Sequence, residues 1–137
     1  MLYERTQKHD IELLFFKTYF DKLATGKKNG FRAASAIPMP NQQYLVADAL
    51  CMLQTPKRKE LYAVEIYRKE DTNRIHKSLL QHLMALVQGQ PSTMFDLNHG
   101  SRILCVFETE SSKLNAMKRI CEDKRFANAK KHFLFGV

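Results

Sequence analysis

The chain alternates between two kinds of apolar spacing, and the change of period divides it into elements. From about His9 to Thr25, Ile11, Leu14, Phe15, Thr18 and Lys22 alternate with Glu12, Leu13, Phe16, Phe20 and Leu23 at helical spacing, which predicts an amphipathic helix. Gly26 and the basic turn KKNG end it. Phe31 to Ile37 is short and apolar, Met39 to Asn41 (MPN) makes a turn, and Tyr44 to Leu53 reads as a longer strand. TPKRK, Thr55 to Lys59, turns the chain into a third strand, Leu61 to Arg68. Three successive strands with short connections predict an antiparallel meander. Asp71 or Thr72 then caps a helix to about Val87, striped by Ile75, Leu79, Leu80, Leu83, Leu86 and Val87. GQPS (Gly89–Ser92) breaks it, and Met94 to Ser101 has no clear period. Arg102–Glu108 (RILCVFE) is a buried-type strand, Ser111 to about Cys121 a helix, and His132–Val137 a last strand. The expected order is α-β-β-β-α-β-α-β, an α/β fold in which parallel-type strands extend the meander.

At 137 residues the chain suits one domain spanning 1–137. No apolar run approaches the roughly 18 residues that cross a bilayer, so no membrane contact is expected. The opening MLYERTQKHD lacks a signal-peptide core. Cys51, Cys105 and Cys121 show no CxxC spacing and read as reduced thiols of a cytoplasmic protein. The histidines show no zinc pairing with them. A net charge of +8 changes the picture more, because it favours a polyanionic partner, of which nucleic acid is the commonest.

Two carboxylates stand out. Asp48 lies among Val46, Ala47, Ala49 and Leu50, and Glu65 among Ala63, Val64 and Ile66. A bare charge is not buried without compensation. Acids on adjacent strands therefore suggest a divalent-metal site of the Mg²⁺ type or a buried cluster answered by Arg32, Lys57 or another cation.

With Asp48 in the second strand region and Glu65 in the third, this order resembles the PD-(D/E)xK nuclease-like core, the restriction-endonuclease-like fold. More narrowly, the chain is similar to the replication-relaxation family of plasmid mobilisation and replication proteins, which includes relaxases of the Mob C class. His9 opens the first helix, VADAL (Val46–Leu50) resembles the family's "PDa" segment, and VEIYRKEDT (Val64–Thr72) resembles "EiDRg". RILCVFETESSKLNAMKRI suits the family's later strand and helix.

The resemblance implies a DNA partner, with conjugation or replication proteins of a relaxosome as further partners. It also implies an Mg²⁺ or Mn²⁺ site, if the protein is active, held by Asp48, Glu65 and a helix-borne acid, Glu12. Ala47 replaces the motif's proline, and Tyr67 stands where a nuclease has its lysine. Lys69 shares the parity of Glu65 and Tyr67 and supplies a catalytic cation only if the strand ends nearby. The family's upstream winged-helix region does not precede His9, which makes the chain either the C-terminal part of a longer member or a stand-alone relative.

Lys69, Arg74 and Lys77 near the second helix's start, and Lys124, Lys130 and Lys131 before the last strand, are the candidate phosphate contacts. A solvated charged face is the alternative for both groups. His76 and His82, six residues apart, read as surface or boundary side chains. Three functions follow: a DNA-binding or assembly module with a degenerate nuclease-like fold, an active metal-dependent nickase or relaxase, or a protein-interaction module that dimerises through a sheet edge.

Overall fold

The computed structural model describes residues 10–24, 31–40, 43–68, 71–97 and 100–137; His9 and Lys69 lie outside them. Its centre is a five-stranded mixed sheet in the order β1-β6-β7-β8-β9. The strands are β1 (Glu12–Thr18), β6 (Ala49–Gln54), β7 (Lys59–Tyr67), β8 (Arg102–Phe107) and β9 (Phe133–Gly136). β1, β6 and β7 pair antiparallel, whereas β7, β8 and β9 pair parallel. Parallel neighbours need crossovers. These are α1 (Thr72–Val87), with the short α2 (Gln90–Met94) behind it, and α3 (Glu110–Glu122).

The α1 boundaries follow from capping and from its apolar stripe. The Asp71 side chain accepts the Arg74 N–H at 2.8 Å, and Thr109 caps α3 in the same way through Ser112. Ile75, Leu79 and Leu83 of α1, with Ala116 and Ile120 of α3, bury against Leu50, Ala63, Ile103, Cys105 and Phe107 of the sheet. Full burial of each large apolar chain contributes about 1.5–3 kcal/mol. The other sheet face carries a smaller cluster of Cys51, Leu53 and Tyr62 with Ile11 beside it. Phe16 and Ile66, which share that face by register, remain exposed.

The first element departs from the sequence expectation. Glu12–Thr18 is a strand, not a helix, and a turn ends it at once: Asp21 Oδ2 accepts the Thr18 N–H at 2.9 Å, and Thr18 O accepts the Asp21 N–H. Seven residues are too few for a stable helix to offset its nucleation cost, and β6 offers ELLFFKT a full ladder. The long strand expected over Tyr44–Leu53 is also interrupted. Between β1 and β6 the chain forms two ribbons, β2 (Lys22–Ala24) with β3 (Phe31–Ala33), and β4 (Ala36–Pro38) with β5 (Tyr44–Val46). β6 begins only after Asp48. Among the described residues, no helix is long and apolar enough to cross a membrane.

Candidate functional site

Asp48 occupies the break between β5 and β6, and its two ends hold two strands. Its main-chain oxygen accepts the Tyr19 N–H at 3.2 Å, while its Oδ2 accepts the Ile66 N–H at 2.7 Å. The carboxylate thus continues the β6–β7 ladder one step past the Ala49–Val64 pair. Glu65 lies on the helix-facing side of β7, near its carboxyl end, and is 8% exposed. Its Oε1 meets Nε2 of His82 at 2.7 Å, and the imidazole is itself buried in α1. Burial holds the Glu65 pKa above the ordinary carboxylate value; the His82 hydrogen bond and charge oppose this, and the Asp48 carboxylate reinforces it.

These side chains open into a cleft of about 220 Å³ lined by Asp48, Glu65, Tyr67, Arg74 and Ser78, with Ile66. Tyr67 is buried, and its hydroxyl lies 2.8 Å from Ser78 Oγ. Arg74 reaches the rim from the first turn of α1. The cleft therefore sits at the carboxyl end of β7, where the sheet changes from antiparallel to parallel neighbours. That is the region where open α/β sheets place ligands.

The structure unites Asp48, Glu65 and Arg74 and separates Glu12, Lys124, Lys130 and Lys131 from them, while Lys69 lies outside the described residues. Glu12 pairs with Gln54, at the opposite end of β1 from Thr18 and Ala49. At about 3.3 Å per residue, that places it roughly 20 Å from the Asp48 end. Glu12 is therefore not a third acid of this cleft, because the helix expected to carry it there is a strand. Lys77 is exposed one turn beyond Arg74 on α1. Lys124, Lys130 and Lys131 lie on 3-10 turns (Lys124–Phe126 and Lys130–His132) leading into β9. Since Phe133 pairs with Ile103, they lie near the amino ends of the parallel strands, away from the acids.

The side chain facing Glu65 is His82. Lys57 is exposed in the β6–β7 turn, and the Arg32 side chain lies outside the described residues. The signal for His82 was present in the sequence: it stands three residues after Leu79 and seven after Ile75, on the apolar stripe of α1. His76 is buried too, with Nε2 2.8 Å from Asp123 Oδ2. Arg125 closes on the same carboxylate, and these hydrogen bonds hold the Asp123 pKa well below the usual range.

No protein-family model, curated protein or solved structure matches this chain. Its chemistry is therefore read from its own residues.

Among the described residues no group of three or more His, Cys, Asp or Glu side chains is placed to hold a metal. The Asp48 and Glu65 carboxyls nevertheless lie within hydrogen-bonding reach of each other, and two carboxylates in a partly desolvated cleft fit one hard divalent cation. Mg²⁺ commonly takes one or two carboxylates and completes its shell with water and phosphate oxygens.

Proposed function

We propose that this domain binds nucleic acid through its basic surface and that its acid cleft is a non-cutting relative of a nuclease site. A plasmid mobilisation or replication assembly is the setting this reading implies. The observation that carries it is the way the cleft residues are engaged. Tyr67, in the position where a nuclease lysine would stand, is buried against Ser78. Glu65 is tied to His82, and Asp48 serves the β-ladder. A tyrosine supplies no fixed positive charge to a phosphate undergoing attack. The partner class follows from the net charge of +8 and from the exposed Lys124, Arg125, Lys130 and Lys131.

A second reading, a metal-dependent nickase or relaxase, is supported by the meeting of Asp48 and Glu65 in one cleft with Arg74 at its rim. The strand–strand–helix–strand run of β6, β7, α1 and β8 also supports the PD-(D/E)xK-like order. Here Asp48 and Glu65 would hold Mg²⁺ or Mn²⁺. Such an ion activates water and neutralises charge on the phosphate. Arg74 would orient the phosphodiester, taking the electrostatic role that Tyr67 leaves vacant.

Fluorescence anisotropy with a labelled 20-base-pair duplex tests the partner class. Tight binding at low salt, falling along a steep negative slope of log affinity against log salt, is the expected result. Weak, salt-independent association would overturn it in favour of a protein-interaction module.

A further inference from the structure

The β6–β7 turn, the start of β8 and the turn before β9 converge at the end of the sheet opposite the acid pair. There, Arg58, Arg102, Lys131, His132 and Gly100 line a cleft of about 380 Å³. Arg58, Arg102 and Lys131 are permanent cations; Arg58 lies 3.6 Å from the Glu60 carboxylate, which also accepts the Tyr62 hydroxyl at 2.9 Å. Burial and the Glu60 carboxylate raise the Tyr62 pKa, and Arg102, which reaches the same hydroxyl, opposes that rise. The local balance stays positive before His132 is considered.

His132 is held in a fixed orientation. Ser101 O accepts the Nδ1–H at 3.0 Å, which leaves Nε2 as the nitrogen not used by that bond. The ring also lies against the main chain of Gly100, where a Cβ would come within 2.8 Å of Cε1. A residue without a side chain at position 100 is what lets the imidazole seat there.

We propose that this cleft is a phosphate-binding site, with Arg58, Arg102 and Lys131 supplying charge and N–H donors and the fixed ring of His132 forming its wall. Two guanidinium forks and an ammonium offer more donors than the Glu60 carboxylate can accept, and a tetrahedral phosphate can take several of them at once. Its natural source is a phosphodiester of the nucleic acid, a choice that rests on the function proposed above. It places the backbone at the amino ends of β8 and β9 instead of at the Asp48–Glu65 cleft. Neither Arg58 nor Arg102 stood out in the sequence as a ligand, because only the parallel register of β7, β8 and β9 brings them beside Lys131.

The test has two arms. In the first, inorganic pyrophosphate is titrated into the full chain while the His132 Cε1 proton is followed by NMR. A saturable shift is expected, with affinity falling tenfold or more in Arg102→Ala and in Lys131→Ala and unchanged in the exposed Lys118→Ala. Absence of a saturable shift, or full affinity in both cleft variants, overturns the site. Lys131 is exposed, so its variant serves even if Arg102→Ala fails to fold.

The second arm uses the labelled duplex. Binding weakened in parallel by Lys131→Ala, with a shallower salt slope, identifies the phosphate as the nucleic-acid backbone. Undiminished duplex binding in the cleft variants overturns that assignment while leaving the nucleic-acid function intact. A duplex that does not bind, with pyrophosphate still shifting His132, overturns the nucleic-acid function and keeps the cleft as a site for a free phosphate compound.

Discussion

Replacing His82 by alanine isolates the interaction that organises the acid cleft. The ring is 2% exposed and its Nε2 lies 2.7 Å from Glu65 Oε1, so its removal leaves a buried carboxylate facing a void. Breaking a buried pair from one side costs about 3–5 kcal/mol. A 137-residue domain unfolds with an entropy near 0.3 kcal/mol per degree, so the expected fall in Tm is roughly 10–17 °C. The loss also depends on pH. Because burial raises the Glu65 pKa, the folded chain keeps this proton to higher pH than the unfolded chain does. The group's stabilising contribution is complete below the ordinary carboxylate value and is lost as pH rises through the raised value. His82 opposes the rise in the Glu65 pKa, so its removal raises that pKa further. His82→Ala should therefore lose more stability at pH 8 than at pH 5, measured by scanning calorimetry at both. Glu65→Gln, which keeps an acceptor for the ring and removes the charge, should match or exceed the parent at pH 8. Equal losses at the two pH values would show that His82 matters only for its volume, and the ion-pair reasoning would fail.

Asp48→Ala should cost about 1.5–3 kcal/mol in urea unfolding, the worth of a charged acceptor on the Ile66 amide, while Asp48→Asn keeps most of it. Cys121 alone should react with a disulfide reagent in the native protein, since burial pushes the Cys51 thiol up to about 11 and raises the Cys105 thiol further; three fast thiols would contradict the core assignment. Asp123, held below the ordinary carboxylate pKa by Arg125 and His76, contributes stability present above its unfolded value of 3.8 and lost as pH falls through the lower, folded one. Asp123→Asn should therefore flatten the acid limb of the Tm profile. Gly100→Ala should be destabilised by about 1–3 kcal/mol of overcrowding against His132, and a second change, His132→Ala, should relieve it.

The sequence was most legible where period and capping agreed. α1 starts after Asp71 and ends at Val87 because its cap and its apolar stripe point the same way, and β8 and α3 follow within a residue or two of their expected bounds. The parallel pairing of β7, β8 and β9 followed from the helices between them. The first element was misread because ELLFFKT satisfies both periods over so short a run, and the edge of β6 decided it. That one change carried Glu12 away from the cleft. Asp48 and Glu65 were found as apolar-flanked acids, but their partners were not. The Ile66 amide becomes a donor to Asp48 only in the β6–β7 register, and His82 reads as a core residue only against the stripe of Leu79 and Leu83, not against His76. The cationic end was legible as the charge of Lys124–Lys131, whereas Arg58 and Arg102 join Lys131 only through strand order.

The central claim, a nucleic-acid-binding domain whose acid cleft does not cut, is tested most directly with supercoiled plasmid at low salt, with and without Mn²⁺, beside Glu65→Gln. Retarded mobility with the plasmid intact in every lane is the predicted result. Nicking that requires both Mn²⁺ and Glu65 would contradict it and make the cleft an active metal site, and an unshifted, uncut plasmid would contradict the nucleic-acid partner itself.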